Sequence, residues 1–266
     1  MKFAKRSLGQ NFLIDKNIIN KIINLVTIFN KDIIEIGPGK GALTDEILSK
    51  KPKSLIIIEK DLNLVKDLKS KYRNNKSIKI FNADILKFDI NRIKKNNLII
   101  FGNLPYNISS QILVKTLKFC GQSSKFSDLI FMFQKELADK IIGKFPSKNY
   151  GRLSIISNYR LNVIKKFFVS PYCFFPRPKI ISSVIHFKPN KKYSYKIEKM
   201  NSLEKVTNIF FSNKRKMINK NIKKILNEEQ IRKMPSLNLQ LRPSDISPET
   251  YYKITELFEK NQKIYD

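Results

Sequence analysis

The chain has 266 residues, 42% of them hydrophobic, which is enough for one large domain or two smaller ones and excludes a disordered or fibrous protein. Its 52 Lys and Arg against 22 Asp and Glu give a formal net charge of +30, a field that favours a polyanion, nucleic acid ahead of a membrane surface, although Lys- and Asn-rich compositional bias contributes part of it. Two cysteines, Cys120 and Cys173, without C-x-x-C spacing, and one histidine, His186, imply neither a disulfide framework nor a metal site and argue against a His-based triad.

The N-terminus, Met1 to Arg6, is basic but lacks the apolar core of a signal peptide, and no apolar run approaches membrane-spanning length. The expectation is a cytoplasmic protein with no membrane partner, acting as a monomer. Ser7 to Ile14 is a polar lead-in loop punctuated by Phe12 and Leu13. Asp15 then N-caps a helix whose apolar stripe is Ile18, Ile19, Ile22, Ile23 and Val26.

A buried strand over 32–36 feeds Gly37-Pro38-Gly39-Lys40-Gly41, and a helix follows over 42–49. Strand, Gly-rich loop and helix open a nucleotide-binding βαβ unit, because glycine lets backbone approach a ligand and the helix start offers unpaired N–H donors. The spacing is Gly-x-Gly-x-Gly, so alone it also fits a tight turn. The second strand, 55–58, runs straight into Glu59, where a doubly wound fold places its acceptor for the ribose hydroxyls. After a helix over 61–72, a third strand, 77–81, leads to Asp84, which is either a turn residue or an acceptor for an adenine amino group.

The fourth strand, 98–101, meets Gly102-Asn103-Leu104-Pro105-Tyr106. Gly102 and Pro105 are expected to break it and hold Asn103 and Tyr106 on a bent loop. An amide, a ring and a rigid Pro on one turn suit a flat nitrogenous base; the same residues also make an ordinary Pro turn. Four successive strand ends thus carry Gly37, Glu59, Asp84 and Asn103. In an open parallel sheet these share the carboxyl edge, where ligands bind.

Helices over 109–119, 135–142 and 151–158 and strands over 128–133, 163–169 and 182–187 continue the pattern. Phe174-Phe175-Pro176-Arg177-Pro178-Lys179 reads as an extended aromatic and basic loop, its rings either packed beneath it or open for base stacking. After Lys188 to Lys192 glycine disappears and helical periodicity takes over, with the basic cluster Lys214-Arg215-Lys216 between apolar stripes. The expected domains are 1–190 and a small helical, RNA-binding 191–266.

These residues carry a resemblance. Asn103-Leu104-Pro105-Tyr106 is similar to the (Asn/Asp)-Pro-Pro-(Tyr/Phe) motif of amino methyltransferases. Taken with Gln10-Asn11-Phe12-Leu13, Glu35-Ile36-Gly37-Pro38-Gly39, Glu59, Asn82-Ala83-Asp84, Tyr150-Gly151-Arg152-Leu153 and Phe174 to Lys179, the chain resembles the ribosomal RNA adenine dimethyltransferase family, nearest its bacterial small-subunit branch. The resemblance implies an α/β fold: a Rossmann-like S-adenosylmethionine-dependent methyltransferase sheet with a small C-terminal all-helical domain.

It further implies S-adenosyl-L-methionine as co-substrate. The implied partner is 16S rRNA in a small ribosomal subunit precursor, with two adjacent adenosines of its 3′-terminal hairpin each dimethylated at N6. By the same resemblance Asn11 and Leu13 contact the cofactor, Gly37 approaches it by backbone, Glu59 holds its ribose, Asp84 its adenine, and Asn103 lies between cofactor and target. The Asn103 side chain and Leu104 carbonyl are expected to accept from the target amino group, with Pro105 fixing that carbonyl. Tyr106 and Phe174 are expected to cover the two faces of a base drawn from its stack. The tail departs from the family's register at Asn219-Lys220-Asn221. Three alternatives are weighed: a large-subunit adenine methyltransferase, which tends to carry Ile where Leu104 stands; a non-catalytic RNA-binding assembly factor; and an NAD-dependent dehydrogenase, against which the glycine spacing argues.

Overall fold

The structure, a computed structural model, describes residues 10–121, 124–191 and 194–265. The basic start of the chain, Ser7 to Gly9 of the lead-in loop and Lys192 lie outside the described residues. The chain folds as two compact units: residues up to Ala138 with Leu161–Pro189, and Asp139–Arg160 with the residues from Asn190 onward.

The first unit begins with β1 (Phe12–Leu13), α1 (Lys16–Ile23), β2 (Asp32–Ile36), α2 (Ala42–Ser49), β3 (Ser54–Glu59), α3 (Leu62–Lys71) and β4 (Ile78–Asn82). It continues with β5 (Leu98–Asn103), α4 (Ser109–Leu117), β6 (Phe126–Gln134) and the start of α5 (Lys135–Ile141). After α6 (Arg152–Arg160), which belongs to the other unit, it resumes with β7 (Leu161–Val169), β8 (Phe174–Phe175) and β9 (Ser182–Pro189). The second unit carries α7 (Met200–Phe211), α8 (Asn219–Ile222), α9 (Glu228–Arg232) and α10 (Pro248–Tyr265).

The main sheet runs β4-β3-β2-β5-β6-β9-β7. Its first five strands are parallel, while β9 pairs antiparallel with both β6 and β7. The sequences of β2, β3, β5 and β6 are nearly continuous apolar runs with almost every side chain buried. That is the pattern of strands covered on both faces, and it forces helical crossovers between parallel neighbours. Two of these helices start from clean caps: Asp15 accepts from Ile18 N at the head of α1, which leads into β2, and Asp61 from Asn63 N at the head of the crossover α3. Because β2 to β5 run parallel, the loops after them emerge on one edge, as the sequence implies.

Two local readings differ. Gly102 does not break its strand; it lies in register between Ile36 and Phe131, and β5 continues to Asn103. Its lack of a side chain serves packing, since a Cβ there would stand 2.5 Å from Leu104 Cδ2. The lead-in and the Phe174–Phe175 stretch are not loops but a two-stranded antiparallel pair, Phe12 opposite Phe175 and Leu13 opposite Phe174. The boundary at 190 also needs correction, because residues 139–160 belong to the helical unit. Five side chains of α6 are buried, Tyr252 Oη donates to Ile155 O at 3.0 Å, and Tyr150 Oη donates to Ile246 O at 2.7 Å. Within that unit Lys214, Arg215 and Lys216 stand exposed on the turn after α7.

Candidate active site

The carboxyl edge of β2 to β5 walls a cavity of about 530 Å³, within the range of small-ligand sites. Gly37, Glu59, Asp84 and Asn103 line it together, and so do Asn11, Leu13, Leu104, Pro105 and Tyr106. Nine of the ten residues the sequence and the resemblance single out therefore meet in one cavity; only Phe174 does not.

On the β2–β4 side the floor is glycine backbone and two carboxylates. Gly39 has φ +61°, and a Cβ there would lie 2.7 Å from the Phe12 ring, so the loop needs glycine both for its turn and to receive that ring. Glu59, buried at the end of β3, accepts from Asp61 N at 2.8 Å. Burial pushes its carboxyl up, an effect partly offset by backbone N–H groups. Asp84 behaves oppositely. Lys60 Nζ donates to its Oδ2 at 2.9 Å and Leu86 N to its Oδ1 at 2.9 Å, and the Lys60 contact first of all holds it below the ordinary range. Asn82 Nδ2 bridges the Glu59 and Lys60 carbonyls at 3.2 and 3.1 Å, tying the ends of β3 and β4 together.

Behind this floor lies Glu35, buried, with Thr44 Oγ1 donating to its Oε2 at 2.7 Å. Burial raises its pKa to about 8. The sequence places Glu35 in a strand and at the head of the Glu35-Ile36-Gly37-Pro38-Gly39 motif, without a site role of its own.

The β5 side is neutral. Asn103 Nδ2 donates to Asn11 O at 3.0 Å, which commits its nitrogen and leaves Oδ1 as the acceptor the side chain can offer. Leu104 is buried against Gly102, anchoring the loop from below. The Tyr106 and Ser182 hydroxyls share a 2.6 Å hydrogen bond. Burial raises the phenol pKa, so the ring stays neutral and fixed. Ser182, fully buried at the start of β9, was not singled out from sequence; a small polar residue opening a strand carries no distinguishing pattern.

The segment 10–14 crosses over both sides. Gln10 Nε2 reaches Asp61 Oδ2 at 3.2 Å, Asn11 O takes the Asn103 amide, and Ile14 N donates to Cys173 O at 2.8 Å. Phe174 is the ring that secures it from outside the cavity. It is 3% exposed, packs in the core cluster with Leu13, and is not free to cover a base; its neighbour Phe175 is 57% exposed. Strand alternation explains the exchange, since adjacent residues of β8 point to opposite faces. His186, expected to be structural, is buried and bonds Asp128 Oδ1 at 2.8 Å, away from the cavity.

A mostly parallel α/β sheet with a Gly-rich first loop, a carboxylate ending the second strand and an Asn-Leu-Pro-Tyr loop ending β5 defines a Rossmann-like methyltransferase fold. The chain belongs to the ribosomal RNA adenine dimethylase family, whose model matches residues 1–260. It is 46% identical over 257 residues to the ribosomal RNA small subunit methyltransferase A of Pelagibacter ubique, covering 96% of this chain and 97% of that one. The protein of the same name from Malacoplasma penetrans is 39% identical over 257 residues, with 95% and 91% covered. Among solved structures, a dimethyladenosine transferase from Plasmodium falciparum superposes with a TM-score of 0.76 at 24% identity, covering 95% of this chain and 98% of that one. The 23S rRNA methyltransferase ErmE superposes at 0.67 and 20% identity, covering 94% and 100%. These two likenesses bear on the fold.

Proposed function

We propose that the chain transfers methyl groups from S-adenosyl-L-methionine to N6 of two adjacent adenosines in the 3′-terminal hairpin of 16S rRNA, dimethylating each during small-subunit assembly. The observation that carries the reading is that Glu59 and Asp84 share one cavity with the loop Asn103–Tyr106. The small-subunit assignment draws its support from relatives at 39–46% identity that carry that name.

The residues present suit the co-substrate: a glycine floor that admits close approach, a carboxylate for a vicinal diol and a second for an amino group. Bound there, S-adenosylmethionine supplies an electrophilic methyl group. Glu59 accepts from the ribose hydroxyls, Asp84 accepts from the adenine amino group, and Gly37, Asn11 and Leu13 complete the donor pocket. Asn103 Oδ1 and the Leu104 carbonyl accept from the target N6–H groups. That favours a more tetrahedral nitrogen, with its lone pair freed from the ring and aimed at the methyl. Pro105 fixes the carbonyl, and Tyr106, pinned by Ser182, stacks on the flipped base, offsetting part of the few kcal/mol that unstacking costs. The methylated amine is acidic enough to lose its proton to water, so orientation rather than general-base catalysis does most of the work. Phe174 acts at one remove, by holding Leu13 and the segment 10–14 in place.

Mapping N6,N6-dimethyladenosine in rRNA from cells with and without the gene tests this reading. The modified pair should vanish from the small-subunit 3′ hairpin in its absence. A mark that instead disappears from the large subunit, or no change at all, rules the reading out.

A further inference from the structure

Tyr106 lines the cavity, and an aromatic and basic rim continues past it along the same sheet edge. Ser182, which holds Tyr106, pairs with Val169 at the end of β7 and with Gln134 at the end of β6. Next to these stand large rings that the fold leaves in solvent: Phe168, 55% exposed, and Tyr172, 73% exposed. Each is already flanked by a cation. The Arg177 guanidinium lies 4.0 Å from the Tyr172 centroid, and Lys166 and Lys135 lie 5.1 and 5.7 Å from that of Phe168. Lys135 N also donates to Ile181 O at 2.9 Å, which ties the start of α5 to the segment entering β9.

Exposed rings gain nothing from the core, and phenylalanine in solvent on a strand edge is a liability unless something covers it. The flanking charges say what kind of partner that is. An acidic partner would meet the cations but offers the rings no flat face, and a lipid surface would take both but has no place beside a cavity that admits a flat base. A nucleobase has a π-face for the ring, and its own phosphate meets the cation beside it. A target base drawn into the cavity leaves its neighbours unstacked at the mouth, within reach of this rim.

We propose that Phe168 and Tyr172, with Lys135, Lys166 and Arg177, form a platform on which single-stranded nucleotides flanking the target adenosine stack while it occupies the cavity. This rests on the methyltransferase reading above. It adds an RNA subsite distinct from the basic turn Lys214–Lys216 and from the target-base clamp. Stacking is tolerant of base identity, so the platform holds the strand in register and leaves target choice to the cavity.

Phe168→Leu and Tyr172→Leu keep apolar bulk and remove the rings; both residues are exposed enough that folding should be undisturbed, which a melting curve checks. With unmethylated small subunits as substrate, each variant should raise KM for the subunit about tenfold, within the range a base–aromatic stack contributes. Turnover at saturation and S-adenosylmethionine affinity should hold, and Phe168→Tyr and Tyr172→Phe should behave as wild type. Ultraviolet crosslinking of the wild-type complex should join peptides containing Phe168 and Tyr172 to nucleotides beside the target pair. KM within twofold of wild type for both variants overturns the platform, as do crosslinks from these peptides to a ribosomal protein instead of RNA. The underlying reading fails separately, and takes the platform with it, when the wild-type chain leaves the subunits unmethylated.

Discussion

The two walls of the cavity are built on different principles. On the β2–β4 side, ligand-facing groups are carboxylates and glycine backbone, placed by the ends of regular strands and tied locally, Glu59 to Asp61 and Asp84 to Lys60 and Leu86. On the β5 side no charged group takes part. An amide, a carbonyl and a ring are instead fixed by bonds to distant segments, Asn103 to Asn11 and Tyr106 to Ser182. Charge suits the recognition of hydroxyl and amino groups that stay as they are. A neutral wall suits a nitrogen that must keep its lone pair available, because a cation or a strong donor there would capture that pair. Binding and chemistry should therefore separate by wall.

Asn103→Ala should do most damage, because it removes both the proposed N6–H acceptor and the anchor to Asn11. Single-turnover methyl transfer should fall about 10²–10³-fold, the scale seen when one preorganised hydrogen-bonding group is lost. A smaller fall than from Glu59→Ala at saturating cofactor would break the contrast between the walls.

Glu59→Ala should leave single-turnover chemistry nearly intact once the cofactor saturates, and weaken S-adenosylmethionine binding about 10–100-fold, as expected for hydrogen bonds to a charged acceptor. Calorimetric titration checks this, and an unaltered isotherm removes Glu59 from the donor wall.

Glu35 sets a pH dependence of stability. The folded carboxyl keeps its proton up to about pH 8, whereas the unfolded chain releases it near the ordinary glutamate value. Unfolding therefore releases a proton between those values, so stability falls as pH rises through that window and levels off above it. Glu35→Gln keeps an acceptor for Thr44 and should flatten the decline, on the order of a few kcal/mol in urea denaturation by pH 8. An unchanged slope in the variant would mean the proton sits elsewhere.

Tyr106→Phe should cost least. It keeps the ring and loses only the tie to Ser182, so turnover should drop about fivefold, near the net value of one hydrogen bond, and Ser182→Ala should match it. A large loss from either would show that the hydroxyl touches the reacting groups directly.

Much of this architecture was legible from sequence because most site residues on the carboxyl edge follow a short apolar run of the length of a buried strand. Glu59 after Leu55–Ile58 and Asn103 after Leu98–Phe101 are placed by that rule alone. What was not legible depends on contacts without periodicity. Two-residue strands such as Phe12–Leu13 and Phe174–Phe175 have no pattern to read, so the face taken by Phe174 could not be deduced. Gly102 looked like a breaker because no residue pattern shows that Leu104, two residues on, folds back against it. The transfer of residues 139–160 to the helical unit is decided by tyrosine hydroxyls more than ninety residues distant, which no local window contains.

The division between the walls is tested most directly with Tyr106→Ala. Its affinity for S-adenosylmethionine, measured by calorimetry, and its single-turnover methyl transfer to unmethylated small subunits are compared with wild type on the same preparation. The account predicts a cofactor affinity within about twofold and a loss of transfer on the order of a hundredfold, as expected when a reacting group is misplaced. Parallel loss of cofactor affinity, or transfer at the wild-type rate, would contradict it.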